Sequence, residues 1–104
     1  MIVTRLFSPT DIPSVTNVAK KSLGEVYPPS LYLTVHSLWR EGFIVLIEND
    51  RIVGFVASVE SGPKIARVLM LAVLPDHRKR SFGKRLMNDL YAACLARGLD
   101  TVVL

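Results

Sequence analysis

The chain has 104 residues, 50% of them apolar, and thirteen basic against nine acidic side chains give a net charge of +4. That length allows one small domain, and that apolar share excludes a disordered chain. The longest apolar run, Val68 to Leu74, is seven residues where a membrane span needs about 20; no secretory leader is readable at the start, and the lone Cys94 excludes an internal disulfide or a multi-cysteine metal site.

A soluble, cytoplasmic single domain over residues 1–104, with no metal, is the expectation. Ile2, Val3, Leu6 and Phe7 predict a short opening strand. Ser8-Pro9-Thr10-Asp11 reads as a helix start, with proline in the first turn beside capping oxygens. Ile12, Val15, Val18, Ala19 and Leu23 recur at helical spacing until Gly24 stops the run. The prolines of Glu25-Val26-Tyr27-Pro28-Pro29 make that stretch a connecting loop. Ser30 opens a second helix with an expected apolar face of Leu31, Val35, Leu38 and Trp39, closed by Gly42.

Phe43 to Ile47 and Ile52 to Val59 flank the turn Glu48-Asn49-Asp50-Arg51 and predict a β-hairpin. After the turn Ser61-Gly62-Pro63-Lys64, Ile65 to Leu74 is a third consecutive antiparallel strand. Its apolar residues run together instead of alternating, which predicts burial on both faces under helices. Phe82, Leu86, Leu90 and Cys94 fall four apart, with Met87 and Tyr91 widening the stripe, and predict a third helix ended by Gly98. Leu99 to Leu104 is a last strand. The predicted order is β-α-α-β-β-β-α-β, an α/β domain with a mixed, mostly antiparallel sheet flanked by helices.

Charge is distributed unevenly along this order. Residues 1–64 carry six basic and six acidic side chains, so the whole excess lies in residues 65–104, and five cations fall between Arg78 and Arg85. They sit in the strand-to-helix turn Pro75-Asp76-His77-Arg78-Lys79-Arg80-Ser81-Phe82-Gly83-Lys84. Unpaired N–H groups at a helix start, with the helix dipole, attract anions, and successive turn amides add a phosphate nest. Gly83 permits close backbone approach, and the favoured ligand is a pyrophosphate. Equally, Ser81 can N-cap the helix while the cations are solvated; residue types alone leave both readings open.

The stretch from Leu71-Ala72-Val73-Leu74-Pro75 through Arg78 to Gly83-Lys84-Arg85-Leu86 resembles the acetyl-coenzyme-A signature of the GNAT acetyltransferase superfamily. Arg78 and Gly83 match that signature, and Ser81 stands where a first glycine is expected. The element order resembles the same fold. The resemblance implies that backbone amides of Lys79, Arg80, Ser81, Phe82, Gly83 and Lys84 hold the pyrophosphate, with Arg78 heading the motif. It implies further that backbone groups of Leu71, Ala72 and Val73 hold the pantetheine arm and polarise the thioester carbonyl. If Ser81 needs a positive φ, its Cβ costs about 1–2 kcal/mol.

Leu23-Gly24-Glu25-Val26-Tyr27-Pro28 is similar to the acceptor loop of the protein N-terminal acetyltransferase branch, which includes the ribosomal-protein alanine N-acetyltransferases. The likeness implies that Glu25, Val26 and Tyr27 wall the site for a peptide N-terminus and that Glu25 is the catalytic carboxylate. Such a group suits an α-amine, whose pKa of about 8 lets it lose a proton readily near neutral pH. In solvent, Glu25 is a loop carboxylate and Tyr27 a packing aromatic. That branch also implies a catalytic Glu, a helix bearing an acidic Tyr and two more strands beyond Leu104, so the chain resembles an incomplete domain. Tyr27, Tyr32 and Tyr91 do not take the acid role by sequence. The last strand is expected to be an open edge that supports homodimerisation.

Among other residues, Cys94 is expected to pack as a small hydrophobe, His77 to face solvent, His36 to be structural and Trp39 to lie in the core. The leading expectation is an acetyl-CoA-dependent N-acetyltransferase acting on a protein N-terminus. A small-molecule amine acceptor and a silent coenzyme-binding domain are the alternatives. Nucleic-acid binding is disfavoured because the cations lack interleaved aromatics beyond Phe82.

Overall fold

Antiparallel pairing starts from the turn chemistry of Asn49 and Asp50, which both adopt positive φ, 52° and 66°, as a twisted two-residue hairpin requires. In the computed structural model, which describes residues 1–104, that turn joins β2 (Phe43–Glu48) to β3 (Arg51–Glu60). The remaining elements are β1 (Ile2–Leu6), α1 (Ile12–Leu23), α2 (Pro29–Leu38), β4 (Ile65–Val73), α3 (Phe82–Arg97) and β5 (Thr101–Val103). The five strands lie in the order β1-β2-β3-β4-β5, with β5 alone parallel to its neighbour. The predicted element order therefore holds throughout.

Helices cover both faces of the sheet. On one side Val15, Val18 and Ala19 of α1 and Tyr32 and Val35 of α2 are buried. Tyr32 lies against Phe43 of β2 and Phe55 of β3, with ring centroids 6.4 Å apart in each case. On the other side α3 buries Phe82, Leu86, Leu90 and Cys94, the predicted stripe. Fully burying one such side chain stabilises the fold by about 1.5–3 kcal/mol. Burial pushes the Cys94 thiol above its ordinary pKa, as expected for a packed hydrophobe. Gly54 of β3 makes the contact with α3 possible: a Cβ there would stand 3.0 Å from the Ala72 carbonyl and 3.4 Å from Leu86.

The sequence reading needs correction at several places. The second helix ends at Leu38, and Arg40–Gly42 form a separate 3₁₀ turn. Its buried face is Tyr32 and Val35; Leu38 points to solvent, and Trp39 reaches the core from beyond the helix end. Leu23 and Tyr91, at the margins of their stripes, are exposed. The last strand is three residues, not six.

The more consequential correction concerns β4. Leu69 and Leu71 are 45% and 37% exposed, so the apolar run is not buried on both faces. The register of β4 on β3 passes from Val68↔Ser58 to Met70↔Ala57, leaving Leu69 as an extra residue. A bulge of this kind bends its strand. Before the bulge, Ile65, Ala66 and Arg67 pair with β5; beyond it no β4 residue does. From Val68 to Val73, β4 pairs with β3, and its register with β5 covers Ile65 to Arg67.

Candidate functional site

The end of β4 leads directly into the turn that precedes α3. Pro75–Arg80 wind as a 3₁₀ segment, seated by hydrogen bonds from the Leu74 amide to Val53 O (2.8 Å) and from the His77 amide to Leu74 O (2.9 Å). Ser81 then adopts the left-handed conformation, φ 61° and ψ 25°, and makes no side-chain cap. Ser81 thus holds the N-cap position, as one of the two sequence readings had it, but its hydroxyl caps nothing. A Cβ held there costs about 1–2 kcal/mol, and such strain persists only where neighbours enforce it.

The turn leaves donors free. Within α3 the Arg85 amide is the first to reach back, to Ser81 O at 3.0 Å. The first-turn amides ahead of it have no intrahelical acceptor, and they sit at the positive end of a 16-residue helix. A Cβ built on Gly83 meets nothing within 4 Å, so the backbone is approachable there from outside. Space, orphan donors and dipole suit a phosphate group. They occur just beyond the bulged end of β4.

The surrounding cations differ in availability. Arg78 does not stand free: its guanidinium donates to Val73 O (3.3 Å), Ser22 O (2.9 Å) and Ser22 Oγ (3.0 Å). It ties the end of β4 to the end of α1. Arg80 is bound to Glu48 through Nη1 at 2.7 Å and lies 4.8 Å over the Phe82 ring. Lys79 and Lys84 are exposed and form no ion pair; Arg85 faces Asp89 at 3.7 Å. Of the five clustered cations, only the two lysines are uncommitted.

His77 is the residue most misjudged from sequence. Its side chain is 22% exposed, and Nε2 stands 3.3 Å from Glu48 Oε1. Arg80 beside Glu48 holds that carboxyl below its usual range, with His77 adding to the effect. Glu48 and Ser22 support the loop, and neither stands out in the sequence. Glu48 had the look of a hairpin-turn carboxylate, and only tertiary pairing gives it another role.

On the acceptor side the structure brings less together. Gly24 caps α1 in the left-handed conformation, φ 71°, with its amide on Lys20 O. Glu25 and Val26 are exposed, and neither side chain makes a hydrogen bond or ion pair. Tyr27 is half-buried edge-on to Tyr32, with centroids 6.3 Å apart. Tyr32 itself is fully buried, and burial raises its phenol pKa. The Arg78–Ser22 contact is the physical link between this loop and the phosphate-type turn.

Elsewhere, no group of His, Cys, Asp and Glu side chains could hold a metal ion, and no helix is long and apolar enough to cross a membrane. His36 packs its ring 5.4 Å from Phe7.

A family model described as "Acetyltransferase (GNAT) family" matches residues 12–104. Ard1 from Thermoplasma volcanium superimposes with a TM-score of 0.88 at 34% identity, covering 94% of this chain and 66% of its own. The ribosomal-protein-S18-alanine N-acetyltransferase from Escherichia coli gives 0.81 at 18% identity, over 98% of this chain and 64% of its own. The diaminobutyrate acetyltransferase EctA from Paenibacillus lautus, solved with L-2,4-diaminobutyric acid and coenzyme A, gives 0.83 at 22%, over 95% and 61%. The chain thus spans less than two thirds of the length of these relatives. No curated protein sequence matches it.

Proposed function

The chain belongs to the GNAT acetyltransferase family, and on that premise we propose that it binds acetyl-coenzyme A along the end of β4 and acetylates an amine, the N-terminal α-amine of a peptide or protein. One observation carries the reading. The bulged end of β4 runs through Pro75–Arg80 into the left-handed turn at Ser81, where the first-turn amides of α3 have no intrahelical acceptor.

Acetyl-coenzyme A supplies the acyl group as a thioester. The amides of Lys79 to Lys84 hold its diphosphate, and Lys79 and Lys84 add long-range attraction that salt screens. Main-chain groups of Leu71 to Val73 hold the arm and polarise the thioester carbonyl, a task that needs no particular side chain. The amine nitrogen attacks the carbonyl carbon, the carbon–sulfur bond breaks, and the departing thiolate takes up a proton. Glu25 takes the proton that the amine loses, while Val26 and Tyr27 wall the acceptor. The acceptor choice is supported by the Leu23–Pro28 segment and by the likeness to the Escherichia coli enzyme. The free outer edge of β5 is, in the same proposal, where two copies pair; light scattering at rising concentration reads this, and a constant monomer mass opposes it.

The test incubates the protein with acetyl-coenzyme A and either a peptide with a free N-terminus or a small diamine, read by mass spectrometry. Acetyl on the peptide α-amine supports the proposal. Acetyl on the diamine alone overturns the acceptor assignment. A second reading, coenzyme binding without transfer, is favoured by the exposed and partnerless Glu25; calorimetric binding with neither product would select it.

A further inference from the structure

Glu48 lies at the end of β2, outside the segment just described, yet its side chain is only 12% exposed and meets two residues of the turn before α3. Its oxygens face Arg80 Nη1 at 2.7 Å and Nη2 at 2.5 Å, a bidentate pair, and His77 Nε2 at 3.3 Å. Both partners lie against the same ring. The Arg80 guanidinium is 4.8 Å from the Phe82 centroid, and the His77 ring stacks at 6.2 Å and 25°. Phe82 is buried and is the first residue of α3. One carboxylate therefore holds an early and a late residue of the turn against the residue that anchors the helix start. Between Arg80 and Phe82 stands Ser81, in a conformation that neighbours must enforce.

Electrostatics sharpens the point. A carboxylate beside a cluster of anion-binding amides repels a diphosphate, and its removal alone should tighten anion binding. Arg80, if freed, would add a second attraction. A group with an adverse charge in this place is explained by what it holds.

We propose that Glu48 is a positioning residue for the coenzyme loop, fixing Arg80 and His77 so that the amides around Ser81 keep their anion-binding arrangement. The inference rests on the reading of that loop as the coenzyme site. It assigns Arg80 to holding the loop and leaves Lys79 and Lys84 as the cations that attract the ligand.

The experiment titrates coenzyme A by calorimetry into the wild type, Glu48→Gln, Arg80→Gln and the double variant. Positioning predicts a Kd about three- to fivefold higher for Glu48→Gln, within the range such ion pairs are worth. It predicts a similar loss for Arg80→Gln, and a double variant no weaker than either single change. Glu48→Asp keeps the charge but shortens the reach; it serves where the Gln variant does not fold and carries the same expected weakening. Unchanged or tighter binding overturns the inference alone: in Glu48→Gln the lost charge and freed arginine act in that direction, and in Glu48→Asp the freed arginine does. A wild type that takes up no coenzyme A overturns the loop reading and this inference with it.

Discussion

Two loops, both at helix ends and tied together by Arg78, are built on opposite plans. The turn from Pro75 to Lys84 is held from several sides: Val53 and Leu74 through the backbone, Val73 and Ser22 through Arg78, Glu48 through Arg80 and His77. The loop from Gly24 to Pro28 has one inward side chain, Tyr27, while Glu25 and Val26 meet only solvent. A site made of main-chain donors must have its backbone fixed, because a donor displaced by an ångström no longer meets its acceptor. A site made of side chains at a loop tip can be completed when the acceptor arrives.

Substitutions test that contrast, beginning with the largest expected effect. Leu86→Ala removes a fully buried side chain under the phosphate-type turn and should cost about 2–5 kcal/mol in chemical denaturation; a loss below 1 kcal/mol would show that α3 is not seated as described. Gly83→Val fills space that nothing in the protein occupies. It should leave the melting temperature unchanged or higher, since glycine is the poorer helix former. Coenzyme A binding should nevertheless weaken by about tenfold, ~1.4 kcal/mol; equal binding would remove Gly83 from the coenzyme contact.

A third test lies outside both loops. Asp11 is buried and paired with Arg5 at 2.7 and 2.9 Å, and those hydrogen bonds hold its carboxyl below the ordinary value. A group depressed in the folded state stabilises it above the unfolded pKa of about 3.9 and loses that contribution as pH falls through the lower folded value. Arg5→Gln should therefore destabilise the protein at neutral pH, and the difference in unfolding midpoint should shrink as pH falls below about 4. A difference independent of pH would contradict the pair's role.

Smaller effects follow from single positions. Ser81→Gly relieves the left-handed strain but adds chain entropy to the unfolded state, so stability should change by less than about 1 kcal/mol with coenzyme binding kept. Ser81→Val, β-branched at positive φ, should lower both. Glu25→Gln should leave coenzyme A affinity and stability within about twofold and ~0.5 kcal/mol, and slow only peptide acetylation. A fall in coenzyme affinity would show that the two loops are less separate than their contacts indicate.

Local pattern made much of this structure legible. The helix stops at Gly24 and Gly98 are both left-handed, with φ 71° and 83°, and the Phe82-Leu86-Leu90-Cys94 stripe is the buried face of α3. These follow from period and turn chemistry, which act over a few residues. The bulge at Leu69 is not legible, since an apolar run reads the same whether its register is continuous or shifted. The role of His77 was hidden for a related reason: its partner Glu48 lies 29 positions earlier, and pairing over such a separation is decided by the tertiary fold. For the proposed site, the sequence offers a strand end, a helix start and a small residue in order, and the structure keeps that order. The side-chain half depends on orientation at a solvent-exposed loop, which no spacing encodes.

The claim on which the account turns is that main-chain hydrogens between Lys79 and Lys84 grip the coenzyme's diphosphate. Nitrogen-edited NMR of the labelled protein during a coenzyme A titration addresses it amide by amide. The account predicts the largest saturable shifts at Ser81, Phe82, Gly83 and Lys84, with a second group along Leu71 to Val73. Saturable shifts confined to other parts of the surface, or none at all, would contradict it.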